Sequence, residues 1–144
     1  MIPIKLLMHI NAPKEEVFNA LTESDKLSKW YTTIVKGEFK LNEIITFEFI
    51  NFAEFKFKVI ALTHNESVYL EIIESGLDNI GHIMKYELDE NNRKTRVRYT
   101  YEGFAEMDDS YSNMNYSSAK YLESLRQYCQ TGNGEAFGSS SYRA

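Results

Sequence analysis

Apolar and polar residues alternate through the middle of the chain, and this pattern predicts a sheet of antiparallel strands. From Phe39 to Ala61, aromatic and aliphatic side chains take nearly every second position, with lysine, threonine or glutamate between them. A period of two is typical of a strand that buries one face. Further runs of this kind, separated by turn-forming residues, cover residues 67–74, 82–89 and 95–102.

Two short helices are predicted between an N-terminal strand, residues 2–10, and this series of strands. Pro13 suits a first helical position because its missing N–H would have no partner there. Ser24 or Asp25 can cap the second helix. The apolar faces of the two helices consist of Val17, Phe18 and Leu21, and of Leu27 and Trp30.

The last regular segment, from about residue 110 to 131, returns to helical spacing and ends at Gly132. The predicted order is therefore one strand, two short helices, further strands up to a total of six or seven, and one long helix. We expect a single domain over residues 1–132. Residues 133–144 are rich in Gly and Ser, and we expect them to form a loosely packed C-terminal tail.

Composition narrows the classes of partner. The chain has 144 residues and a formal net charge of −5, which disfavours nucleic acid, because that partner requires clustered positive charge. Cys129 is the only cysteine, no signal-peptide pattern opens the chain, and no apolar stretch approaches the roughly 20 residues that cross a bilayer. We therefore expect a cytoplasmic protein without stable membrane insertion.

Two stretches near the N-terminus resemble a known superfamily. They are His9-Ile10-Asn11-Ala12-Pro13, which leads into the Val-Phe helix, and Leu27-Ser28-Lys29-Trp30-Tyr31. This arrangement resembles the START-like (SRPBCC) superfamily, which includes birch-pollen-allergen-type proteins, polyketide cyclases and activators of heat-shock protein 90 ATPase. The Leu-x-x-Leu helix ending at Gly132 is similar to the activator branch, although Asp108-Asp109 stands where Gly-Trp is common in that branch.

The resemblance implies an α+β helix-grip fold. In this fold a curved antiparallel sheet wraps around the long C-terminal helix, two short helices follow the first strand, and a cavity lies between the sheet and the long helix. Inward-facing aromatic residues and His82 could line such a cavity, and Trp30 lies in the region that forms its gate in the superfamily. The predicted ligand-binding residues are Trp30, Phe47, Phe49, Phe55, Phe57, His82, Met84, Tyr86, Tyr99, Tyr101, Met114 and Tyr121.

No catalytic or metal-binding motif accompanies these residues. The three histidines are isolated in sequence, and Cys129 lies near a helix C-terminus, where the helix dipole disfavours a thiolate. We predict no metal, no cofactor and no catalytic residue. The leading hypothesis is binding of a hydrophobic small molecule or lipid. Two alternatives stay open, an enzyme of the polyketide cyclase or dehydratase type and a module that binds a chaperone, and a homodimer also stays open.

Overall fold

The computed structural model describes all residues, 1–144, as seven strands and three helices. The strands are β1 (Ile4–Ile10), β2 (Ile34–Lys36), β3 (Ile44–Phe49), β4 (Ala53–Thr63), β5 (Ser67–Ser75), β6 (Ile83–Asn91) and β7 (Lys94–Glu102). The helices are α1 (Lys14–Thr22), α2 (Ser24–Trp30) and α3 (Asp109–Thr131). No helix of the structure is both long enough and apolar enough to span a bilayer.

All seven strands form one antiparallel sheet in the order β1-β7-β6-β5-β4-β3-β2. The register between β4 and β5 shifts twice, between Lys56 and Phe57 and between Val59 and Ala61. Irregularities of this kind bend a strand and increase its twist, so they help the sheet to curve. The curved sheet and the long C-terminal helix confirm the predicted helix-grip α+β fold.

The strand phases agree with the alternation. Phe47, Phe57 and Tyr99 are buried, with at most 4% of their surface exposed. On the opposite face, Lys56 forms an ion pair with Glu74, and Arg98 forms one with Asp89. A slip of one residue would have exchanged the two sets, so the sequence specifies this register strongly.

Two local predictions are wrong. Phe39 lies outside any strand, because the chain forms the three-residue strand β2 and then turns before β3 begins at Ile44. Neither Ser24 nor Asp25 caps α2, since the residue before the helix is Glu23 and the Ser24 hydroxyl donates to the carbonyl of Gly37 instead.

The long helix α3 has defined ends. The Asp108 carboxylate accepts a hydrogen bond from the backbone N–H of Tyr111 and caps the helix. At the other end Gly132 adopts a left-handed conformation with φ of 85°, and its N–H donates to the carbonyl of Tyr128. This is the ordinary way for glycine to end a helix. The stop predicted at Gly132 is therefore confirmed.

The C-terminal segment, residues 133–144, is packed against the domain, so the expectation of a loosely packed tail is wrong. Ala136 is 1% exposed. The Phe137 N–H donates to the carbonyl of Tyr31, and the Phe137 carbonyl accepts from the N–H of Thr33. The Ser124 hydroxyl on α3 accepts from the N–H of Glu135 and donates to the carbonyl of Trp30, which joins three elements.

Candidate ligand cavity

A cavity of about 610 Å³ lies between the sheet and α3. Hydrophobic residues make up 14 of the 20 that line it. The lining residues are Tyr31, Phe49, Phe52, Phe55, Phe57, Ile72, Leu77, Asp78, Asn79, His82, Met84, Tyr101, Phe104, Ser110, Asn113, Met114, Ser117, Tyr121, Phe137 and Tyr142.

The position of α3 explains why a space is left. Among the strands, β1 lies nearest to the backbone of α3, which also contacts α1 and α2. The backbone of α3 therefore stands away from β3, β4 and β5. Side chains that project from those strands, such as Phe57 and Ile72, line the gap without closing it.

One end of the cavity is aromatic, and we call it the aromatic end: Tyr31, Phe49, Phe52, Tyr121, Phe137 and Tyr142. Neighbouring rings in this group make edge-to-face or tilted contacts, with centroids 4.9 Å apart for Tyr31 and Tyr121 and 5.4 Å apart for Phe49 and Phe137. Such geometry is favoured by the ring quadrupoles. Phe137 and Tyr142 come from the C-terminal segment, which therefore forms part of the cavity wall.

A second region of the lining contains most of its carboxyl, amide, imidazole and aliphatic hydroxyl groups, together with one phenol. We call it the polar end: Asp78, Asn79, His82, Tyr101, Ser110 and Asn113. The loop between β5 and β6 supplies the first three, and the start of α3 supplies the last two. Phe104 joins these elements, since its ring lies 5.1 Å from that of His82 and 5.5 Å from that of Tyr111.

His82 and Tyr101 form a hydrogen-bonded pair at the polar end. The Nδ1 atom of His82 lies 2.9 Å from the hydroxyl oxygen of Tyr101. Gly103 makes room for this arrangement, because a Cβ atom built there would lie 2.2 Å from Cδ2 of His82. Gly103 also has a positive φ of 146°, which a residue with a side chain rarely adopts.

Burial sets the protonation of the polar end. It lowers the pKa of His82 from the usual histidine value, and the charge of nearby Asp78 offsets only part of that effect. Burial also raises the pKa of Tyr101, so the phenol stays protonated at neutral pH. The pair is therefore a neutral imidazole beside a neutral phenol.

A much smaller void of about 10 Å³ lies deeper, between α3 and strands β6 and β7. Tyr86 and Tyr99 line it together with Ser118. The hydroxyl groups of Tyr99 and Ser118 are 2.9 Å apart and hydrogen-bonded, and both residues are buried. This contact connects the sheet to α3 beneath the main cavity.

The structure brings eight of the twelve predicted ligand-binding residues to the cavity. They are Phe49, Phe55, Phe57, His82, Met84, Tyr101, Met114 and Tyr121. Tyr86 and Tyr99 lie at the smaller void. Phe47 and Trp30 lie outside both linings: Phe47 is fully buried against Tyr31 and Phe57, and the Trp30 indole N–H donates to the carbonyl of Ala20.

Several lining residues were not predicted, and they share one reason. Phe52, Leu77, Asp78, Asn79, Phe137 and Tyr142 all lie outside the regular elements, where no periodicity assigns a direction to a side chain. The one sequence signal for the last two is the presence of Ala136, Phe137 and Tyr142 in an otherwise Gly- and Ser-rich segment.

The structure does not assemble a metal-binding group or an activated cysteine. No three His, Cys, Asp or Glu residues lie close enough together to hold a metal ion. Burial, together with the charge of Glu16, raises the pKa of Cys129 to about 12. A thiol with this pKa is almost entirely protonated at neutral pH, and so it is a poor nucleophile.

Comparison with known proteins adds a family. Residues 11–130 match the family model described as activator of Hsp90 ATPase homolog 1-like protein. No curated protein is significantly similar to the chain in sequence.

Three solved structures illustrate the similarity of the fold. The solution structure of the Aha1 dimer from Colwellia psychrerythraea is 29% identical, with a TM-score of 0.86 over 93% of this chain and 100% of that one. DynU16, from the dynemicin biosynthetic locus, is 12% identical, with a TM-score of 0.84 over 98% of this chain and 51% of that one. CalU16 from Micromonospora echinospora is 13% identical, with a TM-score of 0.74 over 90% of this chain and 77% of that one.

Proposed function

We propose that this chain, which belongs to the family of activator of Hsp90 ATPase homolog 1-like proteins within the START-like superfamily, binds a hydrophobic small molecule or lipid in its cavity. The observation that supports the proposal is the cavity itself, about 610 Å³ with 14 hydrophobic residues among the 20 that line it. Volumes of roughly 300–1,000 Å³ and mostly apolar walls are usual for small-molecule sites.

Binding would draw its affinity mainly from burial of apolar surface. Removing such surface from water contributes about 25 cal/mol per Å². We propose that Phe55, Phe57, Met84 and Met114 contact the body of the ligand, because they line the cavity between its polar and aromatic ends. Tyr86 and Tyr99 would support this wall from the layer beneath.

Native mass spectrometry of gently purified protein, together with titration by the neutral fluorescent probe N-phenyl-1-naphthylamine, tests the proposal. We expect saturable binding of one probe per chain. Met114→Trp would place a larger ring in the cavity, and we expect it to block binding of the probe, whereas Tyr116→Trp, on the exposed side of the same helix, would leave binding unchanged. Failure of the wild-type chain to bind the probe or to retain any ligand would contradict the proposal.

An enzyme of the polyketide cyclase type remains a second candidate, and the His82–Tyr101 pair is the observation that favours it. The one donor that this pair leaves free could polarise a substrate carbonyl. A carboxylate hydrogen-bonded to this pair would make the imidazole a stronger base, but neither His82 nor Tyr101 is hydrogen-bonded to a carboxylate. We therefore place binding ahead of catalysis. Mass-spectrometric detection of substrate turnover that His82→Leu abolishes would reverse this order.

We also propose a second copy of this chain as a partner, because the Aha1 relative from Colwellia psychrerythraea forms a dimer. Light scattering after size-exclusion chromatography should then give twice the chain mass of 16.8 kDa. A mass of one chain at micromolar concentration would contradict this.

A chaperone is a further candidate partner on the strength of the family name alone. Stimulation of the ATPase of a heat-shock protein 90 by the purified chain would test it. Both partners are compatible with the cytoplasm, which remains the proposed location.

A further inference from the structure

The two ends of the cavity differ in chemistry, and this difference restricts the ligand. The aromatic end consists of Phe and Tyr rings, and most of the carboxyl, amide, imidazole and aliphatic hydroxyl groups of the lining lie at the polar end. Apolar side chains of β4, β5, β6 and α3 line the space between them. A ligand that matches this lining has an apolar body and a single polar head.

Charge restricts the head further. None of the 20 lining residues is Lys or Arg, and Asp78 is the one residue among them with a carboxyl side chain. Before a ligand binds, His82 is mostly neutral at neutral pH, because burial lowers its pKa. An anionic head such as a carboxylate, bonded to the buried Tyr101 hydroxyl, would therefore lose part of its hydration without a counter-charge, which is costly.

The His82–Tyr101 pair supplies a hydrogen-bond donor in either of its two arrangements. If the Tyr101 hydroxyl donates to Nδ1 of His82, the imidazole proton is on Nε2, for which no protein atom is an acceptor. If Nδ1 carries the proton instead, the Tyr101 O–H is free to donate. Both arrangements thus leave one donor for a ligand oxygen.

Asn79 provides a second unsatisfied atom at the same end. Its side-chain oxygen is buried and has no hydrogen-bond partner. The residue lines the cavity, and its backbone carbonyl accepts from the N–H of His82 at 3.1 Å. Leaving a buried acceptor without a donor costs free energy, but this oxygen has no exposed surface toward the cavity, so a ligand could pair with it only after the Asn79 side chain turns.

Building on the proposed binding function, we infer that the ligand is a neutral amphiphile whose uncharged oxygen head, an alcohol or a carbonyl, binds at His82 and Tyr101 while its apolar end reaches Phe137. The oxygen of an alcohol or of a carbonyl accepts a hydrogen bond from the His82–Tyr101 pair. A fatty-acid anion of the same length is disfavoured, because the lining offers it no Lys or Arg.

Competition between matched ligands tests the inference. The full chain is loaded with N-phenyl-1-naphthylamine at pH 7.5, and the probe is displaced with decan-1-ol or with decanoate. We expect decanol to compete at least about tenfold more strongly, because burial of the unpaired carboxylate is costly. Equal or stronger competition by decanoate would overturn the inference.

Two variants identify the residues that bind the head. Tyr101→Phe and His82→Leu should each weaken decanol binding about fivefold, the effect of one neutral hydrogen bond, and should change the affinity for the probe less. Tyr69→Phe is the matched control, because its hydroxyl donates to Glu87 outside the cavity. Unchanged decanol binding in both variants would overturn the assignment.

A measurement on the unaltered chain covers the case in which a variant does not fold. NMR contacts should connect the C1 protons of decanol to the rings of His82 and Tyr101, and its terminal methyl group to the ring of Phe137. The opposite orientation would overturn the inference while the proposed binding function stands. If no apolar molecule binds at all, the proposed function itself fails, and the inference fails with it.

Discussion

Two small residues, Gly103 and Ser118, determine the positions of larger side chains beside them. Gly103 has no side chain, and the imidazole of His82 occupies the place where one would be. Ser118 has only a small side chain, but its hydroxyl is the hydrogen-bond partner of the buried Tyr99 hydroxyl. In each case the residue acts by allowing or completing the position of a larger neighbour.

We predict that Gly103→Ala displaces His82 and weakens decanol binding about fivefold. The added methyl group would meet the imidazole, whose easiest response is to rotate away and break its hydrogen bond to Tyr101. Gly76→Ala is the control, because a Cβ there meets no atom within 4 Å. NMR of the His82 ring together with decanol displacement measures the effect. An unchanged His82 signal and affinity in the Gly103 variant would contradict the prediction.

We predict that Ser118→Ala lowers the free energy of unfolding by about 1–3 kcal/mol, the usual penalty for a buried hydroxyl left without a partner. Adding Tyr99→Phe should recover most of this loss, because the orphaned hydroxyl is then removed as well. Urea denaturation gives both values, and Ser112→Ala, exposed on the same helix, serves as the control. Equal stability of the single and double variants would show that the Tyr99 hydroxyl finds another partner.

At the scale of elements, the sequence predicted the segments whose apolar residues recur at a regular spacing, and it did not predict the segments without such a spacing. Strands that bury one face and α3, with its apolar stripe, have fixed phases, so the placement of Phe57 and Tyr99 could be predicted. The strand β2 has only three residues, too few to show a period. The C-terminal segment has no period at all, and its Gly and Ser content concealed anchors at Ala136 and Phe137.

The C-terminal segment leads to a prediction about the aromatic end of the cavity. Phe137 lies beyond residues 11–130, which match the family model, and its ring contacts both Phe49 and Tyr142. We expect Phe137→Ala to weaken probe binding about tenfold, since one aromatic wall is lost.

Two further variants would test this assignment. Lys120→Ala, which removes the ammonium lying 4.0 Å from the centre of the Tyr142 ring, should have a smaller effect of the same sign. Tyr116→Ala should have none, because its side chain is largely exposed on α3. Probe titration of the three variants decides the matter, and equal affinities in all of them would exclude the segment from the binding site.

At the scale of the whole molecule, the cavity interrupts the packing of the core. Sequence alone could not reveal it, because aromatic residues at alternating positions can either fill the space between sheet and helix or surround it. A void of this size forfeits dispersion contacts that a filled core would make. Retaining it therefore costs stability, and a ligand that enters it should return part of that stability.

We predict that one variant can show both the stability lost to the cavity and the stability returned by a ligand. Met114→Trp, which fills space at the centre of the lining, should raise the thermal midpoint of the free chain and abolish its response to ligand. The wild-type chain should instead gain about 2.7 kcal/mol when decanol is present at 100 times its dissociation constant. For a domain of about 150 residues this corresponds to a rise of roughly 5–10 °C in the midpoint.

Tyr116→Trp, on the exposed side of α3, should keep the wild-type midpoint and the wild-type response. If Met114→Trp were less stable and still responded to decanol, the ligand would have to bind somewhere other than between the sheet and the helix.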